Sequence, residues 1–237
     1  AKELGTALMK NMVAVGATCA IMDFDISDFE TLITNMFTKK GDKVVEMNIE
    51  ALNEGYRLMQ EQLTTVDGDF VLEETKGDPH LYMIGNDAIG LGALSAGSRF
   101  MAAYPITPAS EIMEYMIENL PKVGGTVVQT EDEIAAANMA IGSNYAGVRS
   151  FTASAGPGLS LMMEAIGLSG MTETPFVVIN TQRGGPSTGL PTKQEQSDLM
   201  QMIYGTHGVI PKIVVAPTDA EDAFYLTMEA FNLAEMY

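Results

Sequence analysis

The sequence predicts an α/β protein: a parallel sheet with helices on both faces, preceded by a small helical segment. Two observations carry this. From Leu81 onward, short apolar runs alternate with helical stretches of about ten residues, which is the grammar of βαβ units. Ahead of that point, residues 1–63 carry apolar side chains at three- and four-residue spacing, and a polar, acidic stretch at 64–79 with Gly68, Gly77 and Pro79 reads as a linker.

Taken in order, Lys2 to Ala20 reads as a helix with small residues (Ala7, Ala14, Gly16, Ala17) that permit close helix contact. Ser27-Asp28-Phe29-Glu30 is a capping-box pattern opening a helix to about Thr38, and Lys39-Lys40-Gly41 suits its carbonyl end. A further helix, Asp42 to Gln62, repeats Val45, Ile49, Leu52, Tyr56 and Met59. The second part, 80–237, is expected to place strands at Leu81–Ile84, Arg99–Ala103, Thr126–Gln129, Arg149–Ala153, Phe176–Asn180 and Ile213–Ala216. Helices are expected at Ala88–Ala96, after Thr107-Pro108, at Glu133–Tyr145, at Leu159–Gly167 and from Asp219. Both ends read as cut, since Ala1 begins inside a helical pattern without an N-cap and the last residues stay helical without a stop.

Composition narrows the function. The chain has 237 residues, enough for a sizeable core, with 46% hydrophobic residues and 19% charged. Thirteen Lys and Arg against 31 Asp and Glu give a formal net charge of −18, which argues against nucleic acid or an anionic membrane surface as a partner. An anionic ligand must then be caught by local donors. The single cysteine, Cys19, excludes an internal disulfide and a four-thiolate zinc or iron–sulfur site within this chain, and points to the cytoplasm. With two histidines, His80 and His207, no metal site is expected. No apolar run approaches the roughly 18 residues of a membrane span.

Three places could carry chemistry. At Tyr104-Pro105-Ile106-Thr107-Pro108, Thr107 reads as an N-cap with Pro108 at the first helical position; the segment is either a well-made helix start or a donor set for an anion. At Thr130-Glu131-Asp132-Glu133, a capping box between Thr130 and Glu133 is the plainer reading. The competing one is a Glu133 carboxylate, flanked by Ile134 and alanines, that packs against an apolar cofactor ring. The third is Asn180 to Thr192, a loop of glycines and hydroxyls after a strand with one arginine, Arg183, suited to a carboxylate or phosphate. Gly156-Pro157-Gly158 and Gly90-x-Gly92 fall short of the phosphate-loop and dinucleotide patterns, and small-residue packing explains both better.

Together, YPITPASE, QTEDEIAAANMAIGSNYAG, SFTASAGPGLSLMMEAIG and INTQRGGPSTGLPT resemble, in this order and spacing, the α subunit of 2-oxoacid:ferredoxin oxidoreductases. Residues 1–63 resemble the C-terminal helices of the γ domain, often fused ahead of α. The resemblance implies a γ-type piece at 1–63, a linker at 64–79 and, at 80–237, a C-terminally incomplete α domain of the pyrimidine-binding type found in thiamine diphosphate enzymes. It puts the family's cofactor-activating glutamate on Glu133, which would bond the pyrimidine N1′ and favour its imino tautomer. It puts the hydroxyl of the YPITP motif on Thr107, at both cofactor and substrate, the substrate-carboxylate arginine on Arg183, and the GGPST threonine on Thr188. It further implies oxidation of a 2-oxoacid to an acyl-coenzyme A with ferredoxin or flavodoxin as acceptor. A partner β subunit would bring Mg2+, the pyrophosphate site and a [4Fe-4S] cluster that one cysteine cannot hold, in an oligomer. Two alternatives stay open on the sequence: the pyrimidine domain of another thiamine enzyme, transketolase-like, and a non-catalytic nucleotide-binding or assembly module.

Overall fold

In the computed structural model, residues 9–63, 70–71, 78 and 80–237 are described, and the chain divides into two units, Ala1–Pro79 and His80–Tyr237. In the first unit, helices α1 (Lys10–Ile21), α2 (Ser27–Phe37) and α3 (Asp42–Gln62) follow one another, with a 3-10 turn at Thr38–Lys40 and Gly41 at φ +96° closing α2. Residues 2–8 of the expected first helix, and most of the expected linker, lie outside the described residues. The small residues act as expected: a Cβ on Gly16 would stand 2.0 Å from the Leu52 carbonyl oxygen, so α1 and α3 approach backbone to backbone. The capping box at Ser27 is not formed. Asp25 holds the chain entry instead, its carboxylate accepting from the Ser27 N–H at 2.9 Å.

The second unit is the α/β part. Its sheet has the order β2-β1-β3-β4, all parallel, with β1 Phe100–Ala103, β2 Thr126–Gln129, β3 Ser150–Ser154 and β4 Val177–Asn180. The helices are α4 (Gly85–Ser95), α5 (Ser110–Asn119), α6 (Glu133–Tyr145), α7 (Gly156–Met171), α8 (Leu199–Tyr204) and α9 (Ala220–Met236). Side chains alternate across the strands and so feed two cores. Met101, Ala103, Phe151, Ala153 and Val177 pack with Ile112 and Met116 of α5 and Phe231 of α9. On the opposite face Ala137 and Ile141 of α6 pack with Met162 and Ala165 of α7 and with Val178. The chain steps outward from β1 to β2 and then back past β1 to β3. Right-handed crossovers put the helices of those two directions on opposite faces.

Two expected strands are absent from this sheet. Leu81 and Tyr82 are 84% and 97% exposed, and among the described residues neither Leu81–Ile84 nor Ile213–Ala216 has a strand partner. An apolar run becomes a strand only when a neighbouring edge satisfies its backbone groups, and no such edge meets these two. The sequence pattern sets the GPG segment before its helix; it is instead the first turn of α7, with Pro157 near the N-terminus where its missing N–H costs nothing. Gly90 and Gly92 do serve packing, since a Cβ on Gly92 would lie 2.6 Å from the Phe224 carbonyl oxygen of α9.

The start of β3 is tied to α9 and to the end of α4 by Arg149, which donates to both Glu235 carboxylate oxygens at 2.6 Å and to the Ala96 carbonyl at 2.5 Å. The guanidinium holds the Glu235 carboxyl below its ordinary value, chiefly through the hydrogen bonds. A carboxyl whose value is depressed by folding stabilises the fold above its unfolded pKa and loses that contribution as pH falls through the folded value. Glu235→Gln is therefore expected to be less stable than the parent at neutral pH, by less than ~1 kcal/mol for a partly exposed pair. The gap should close on acidification below about pH 4.3. Urea denaturation of both proteins across pH checks it.

Candidate functional site

In an open parallel sheet, the loops leaving the carboxyl ends of the strands share one edge, and a crevice opens where neighbouring strands send their connections in opposite directions. Here that point lies between β1 and β3. The loop after β1 carries Thr107, and β3 ends in Ser154 followed by Gly156 and Gly158. The helix entered after β2 starts with Glu133, and the loop after β4 carries Arg183. All four loops therefore leave the same edge of the sheet.

Glu133 is the first residue of α6 and is 5% exposed. It does not cap the helix. Asp132 does, accepting from the Ala135 N–H at 2.7 Å, while the Thr130 hydroxyl donates to the Asp132 carbonyl at 2.9 Å. The Thr130–Glu133 capping box is thus corrected: Asp132 is extended at φ −157° and its shorter side chain reaches the helix donors directly. Among the described residues Glu133 has no salt-bridge or hydrogen-bond partner, and it stands at the N-terminal end of α6. The carboxylate stays available. Room for it is made by Gly158, where a Cβ would fall 2.7 Å from Glu133 Oε1 and 1.9 Å from Ser154 Oγ.

Arg183 is 6% exposed, with no carboxylate beside it among the described residues. Its Nη1 donates to the Thr107 carbonyl at 2.7 Å and its Nη2 to the Thr188 carbonyl, leaving a buried Nε–H without a partner. The structure thus brings Thr107, Arg183 and Thr188 together, but through the backbone of the two threonines. Thr107 is not an N-cap: α5 starts at Ser110, and Thr107 and Pro108 form a preceding turn with a cis peptide bond between them. The Arg183 loop folds back at Gly184–Leu190. Gly189 (φ +62°) is required there, because a Cβ would meet the Gly184 carbonyl oxygen at 2.2 Å.

Four buried polar atoms around these strand ends lack partners: Ser154 Oγ, Asn180 Oδ1, Thr181 Oγ1 and Arg183 Nε. Orphans of this kind are uncommon in a finished core and leave donors and acceptors open to a ligand or to water. The set suits a bound molecule with both anionic and hydrogen-bonding parts. A buried carboxylate, orphaned hydroxyl and amide groups and a cradle kept open by Gly158 fit the pyrimidine side of thiamine diphosphate. Among the described residues, no three His, Cys, Asp or Glu side chains cluster as a metal needs.

Ser154 and Asp198 are not among the residues that the sequence singles out, and Asn180 enters there only as the start of the Arg183 loop. The available signal is Ser150-x-Thr152-x-Ser154, hydroxyls at every second position of a strand. All three are buried on the side of α6 and α7, and Ser150 Oγ donates to the Ala140 carbonyl of α6. Asp198, 8% exposed, precedes the short helix α8, and its side chain caps nothing.

Residues 91–237 match the family described as pyruvate flavodoxin/ferredoxin oxidoreductase, thiamine-diphosphate-binding, and residues 1–58 match pyruvate ferredoxin/flavodoxin oxidoreductase. The chain is 52% identical over 156 residues to the 2-oxoglutarate synthase subunit KorA of Methanothermobacter thermautotrophicus, covering 66% of this chain and 42% of that protein. It is 39% identical over 244 residues to the 2-oxoacid:ferredoxin oxidoreductase 1 subunit alpha of Sulfurisphaera tokodaii, covering 98% of this chain and 38% of that protein. A solved 2-oxoglutarate:ferredoxin oxidoreductase from Magnetococcus marinus, with 2-oxoglutarate, coenzyme A and succinyl-CoA bound, superposes with a TM-score of 0.85 at 44% identity, over 98% of this chain and 41% of that one. The chain thus spans about two fifths of the length of these relatives.

A paired glycine experiment tests the cradle. A methyl added at Gly142 in α6 would meet nothing within 4 Å, so Gly142→Ala should stabilise the protein by about 0.4–1 kcal/mol. Gly158→Ala must displace Glu133 or Ser154 and should destabilise it by about 1–3 kcal/mol. Urea denaturation midpoints of the two variants are expected to move in opposite directions.

Proposed function

The chain belongs to the pyruvate flavodoxin/ferredoxin oxidoreductase family through its thiamine-diphosphate-binding domain, and from that premise we propose that it forms the pyrimidine side of the active site of a 2-oxoacid:ferredoxin oxidoreductase. The observation that carries this is Glu133: a buried carboxylate at a helix start, relieved of capping by Asp132 and without a counter-charge among the described residues. An unpaired buried carboxylate costs stability, and a ligand that bonds it would offset that cost, which supports this reading.

When bound, thiamine diphosphate supplies the electron sink that lets carbon dioxide leave a 2-oxoacid. Glu133 would hold the pyrimidine N1′ and set the protonation of that ring. Thr107, with its hydroxyl, would stand at the boundary of cofactor and substrate. Arg183 would orient the oxoacid carboxylate, with Thr188 fixing the guanidinium from the far side. The two carbonyls that hold Arg183 engage its terminal nitrogens, which leaves the buried Nε–H as an unpartnered donor for a carboxylate.

The remaining parts of the reaction fall to a partner. The one cysteine of this chain, Cys19, is buried, and one thiolate cannot hold a four-thiolate cluster. A β subunit would bring the iron–sulfur cluster, Mg2+ and the pyrophosphate site, and would pass electrons to ferredoxin or flavodoxin in a cytoplasmic oligomer. The products would be carbon dioxide and an acyl-coenzyme A. Among 2-oxoacids, 2-oxoglutarate is the first to try, since the 52% identical relative bears the name of a 2-oxoglutarate synthase subunit. No helix among the described residues is long and apolar enough to cross a membrane. Family membership removes the transketolase-like alternative, and the assay below separates an enzyme from an assembly module.

The test is coenzyme A-dependent dye reduction by the enzyme assembled with its partner, over several 2-oxoacids, with the isolated chain expected to be inactive. Activity of the isolated chain would refute the shared site. In the assembled enzyme, Glu133→Gln should lower turnover by about 10²–10⁴-fold. Stability should hold or rise, because the change removes an uncompensated buried charge. Near-normal turnover in Glu133→Gln would remove the cofactor role.

A separate arm concerns Arg183. A lysine keeps the charge but cannot span Thr107 and Thr188 while also presenting an Nε–H. Arg183→Lys should lower kcat/KM for the oxoacid by roughly ten- to a hundred-fold and leave thiamine diphosphate affinity in place. Loss of cofactor binding with unchanged oxoacid dependence would assign Arg183 to the cofactor instead.

A further inference from the structure

The loop that presents Arg183 runs from Thr181 to Asp198, and the only strand-like pairing within it is the single bridge between Gly184 and Leu190. Something else must fix where it leaves and returns to the sheet. The return end is Asp198, 8% exposed and without a cation beside it among the described residues. It stands where an N-cap of α8 would be, yet its side chain makes no cap hydrogen bond. The carboxylate turns the other way. Oδ2 accepts from Asn180 Nδ2, at the end of β4, at 2.9 Å. Both oxygens lie against the first residue of α7, 3.1 and 3.2 Å from where a Cβ of Gly156 would stand, so the carboxylate sits beside the start of that 16-residue helix.

Further contacts close the loop at the same place. The Asp198 N–H donates to Gln182 Oε1 at 3.0 Å, and the neighbouring Ser197 hydroxyl, with one hydrogen to give, lies 3.3 Å from the Arg183 carbonyl and 3.4 Å from Asp198 Oδ1. Residues 180, 182 and 183 at the departing end are thus each met by 197 or 198 at the returning end. From these contacts we infer that Asp198, through its hydrogen bond with Asn180, is a positioning residue that clasps the loop and sets where the Arg183 guanidinium meets the substrate carboxylate. Asp198 touches neither substrate nor cofactor in this role. The inference rests on the reading of Arg183 given above.

Asp198→Ala removes the acceptor for Asn180 and releases the loop. In the assembled enzyme it should raise KM for the oxoacid by roughly ten- to a hundred-fold, as expected when a binding group is misplaced by about 1 Å. Thiamine diphosphate affinity should stay within two-fold. Asp198→Asn still accepts from Asn180 through its amide oxygen, and should recover most of the lost KM. A KM within two-fold of the parent in Asp198→Ala overturns the inference, and so does an Asp198→Asn as impaired as the alanine variant, or a cofactor affinity that falls in step with KM.

Should Asp198→Ala fail to assemble, Gly156→Ala asks the same question, because its methyl pushes on both carboxylate oxygens and changes no charge. A raised KM supports the clasp and an unchanged KM overturns it. Arg183→Lys, run in parallel, separates the two levels. If it raises KM while Asp198→Ala does not, the clasp alone is wrong; if it leaves KM untouched, the Arg183 reading fails and the clasp with it.

Discussion

The site depends on one constraint, the cost of keeping ionised side chains out of water without counter-ions. Glu133, Arg183 and Asp198 are each more than nine-tenths buried, and no salt bridge among the described residues joins any of them to an opposite charge. A full charge in a low-dielectric interior is tolerated only where fixed dipoles stand in for solvent. Each of the three finds a different substitute. Glu133 has the start of α6, Arg183 has two main-chain carbonyls from separate loops, and Asp198 has an amide and the start of α7. Dipoles hold a charge in position without neutralising it, so the charge remains available to a ligand.

The parallel sheet is what makes those dipoles converge. Because all four strands run the same way, the helices that follow them all begin at one edge, and their N-termini point toward the same region. The reversal between β1 and β3 then opens the edge, since α5 leaves to one face while α6 and α7 lie on the other. Glycines finish the work by absence. A methyl at Gly158 would occupy the space that Glu133 and Ser154 share, and one at Gly156 would press on Asp198. The same residue type elsewhere in the chain brings helix backbones together, as at Gly16 against Leu52, so glycine here serves approach distance in two distinct settings.

The threonines show a motif whose residues meet through the backbone rather than the side chain. Thr107 and Thr188 do meet Arg183, yet by their carbonyl oxygens, and both residues are otherwise exposed. The arginine consequently joins the loop after β1 to the loop after β4, and its buried Nε–H is left without a partner. A residue that both ties two loops and presents a donor couples binding to loop geometry, which is why the clasp at Asp198 matters to a side chain fifteen positions earlier.

Much of the chain was legible from residues alone. Periodicity located α3, β2 and α6 with their observed ends, the Asp219 start of α9 and the Lys39-Lys40-Gly41 stop of α2, because these signals are local: apolar spacing, caps and left-handed glycine act within one turn of chain. Motif order likewise pointed to the family and to Glu133, Thr107, Arg183 and Thr188. What local signals could not decide was competition between neighbours and pairing over distance. Thr130 and Asp132 are both good caps, and the extended backbone at 132 chose Asp132, which is what left Glu133 unengaged. Leu81–Ile84 and Ile213–Ala216 have strand-like composition, but a strand also needs a partner edge, and only the assembled sheet determines where edges lie. Asp198 was hidden for the same reason: its meaning lies in Asn180, Gly156 and Gln182, 16 to 42 residues away in the chain and adjacent only after folding.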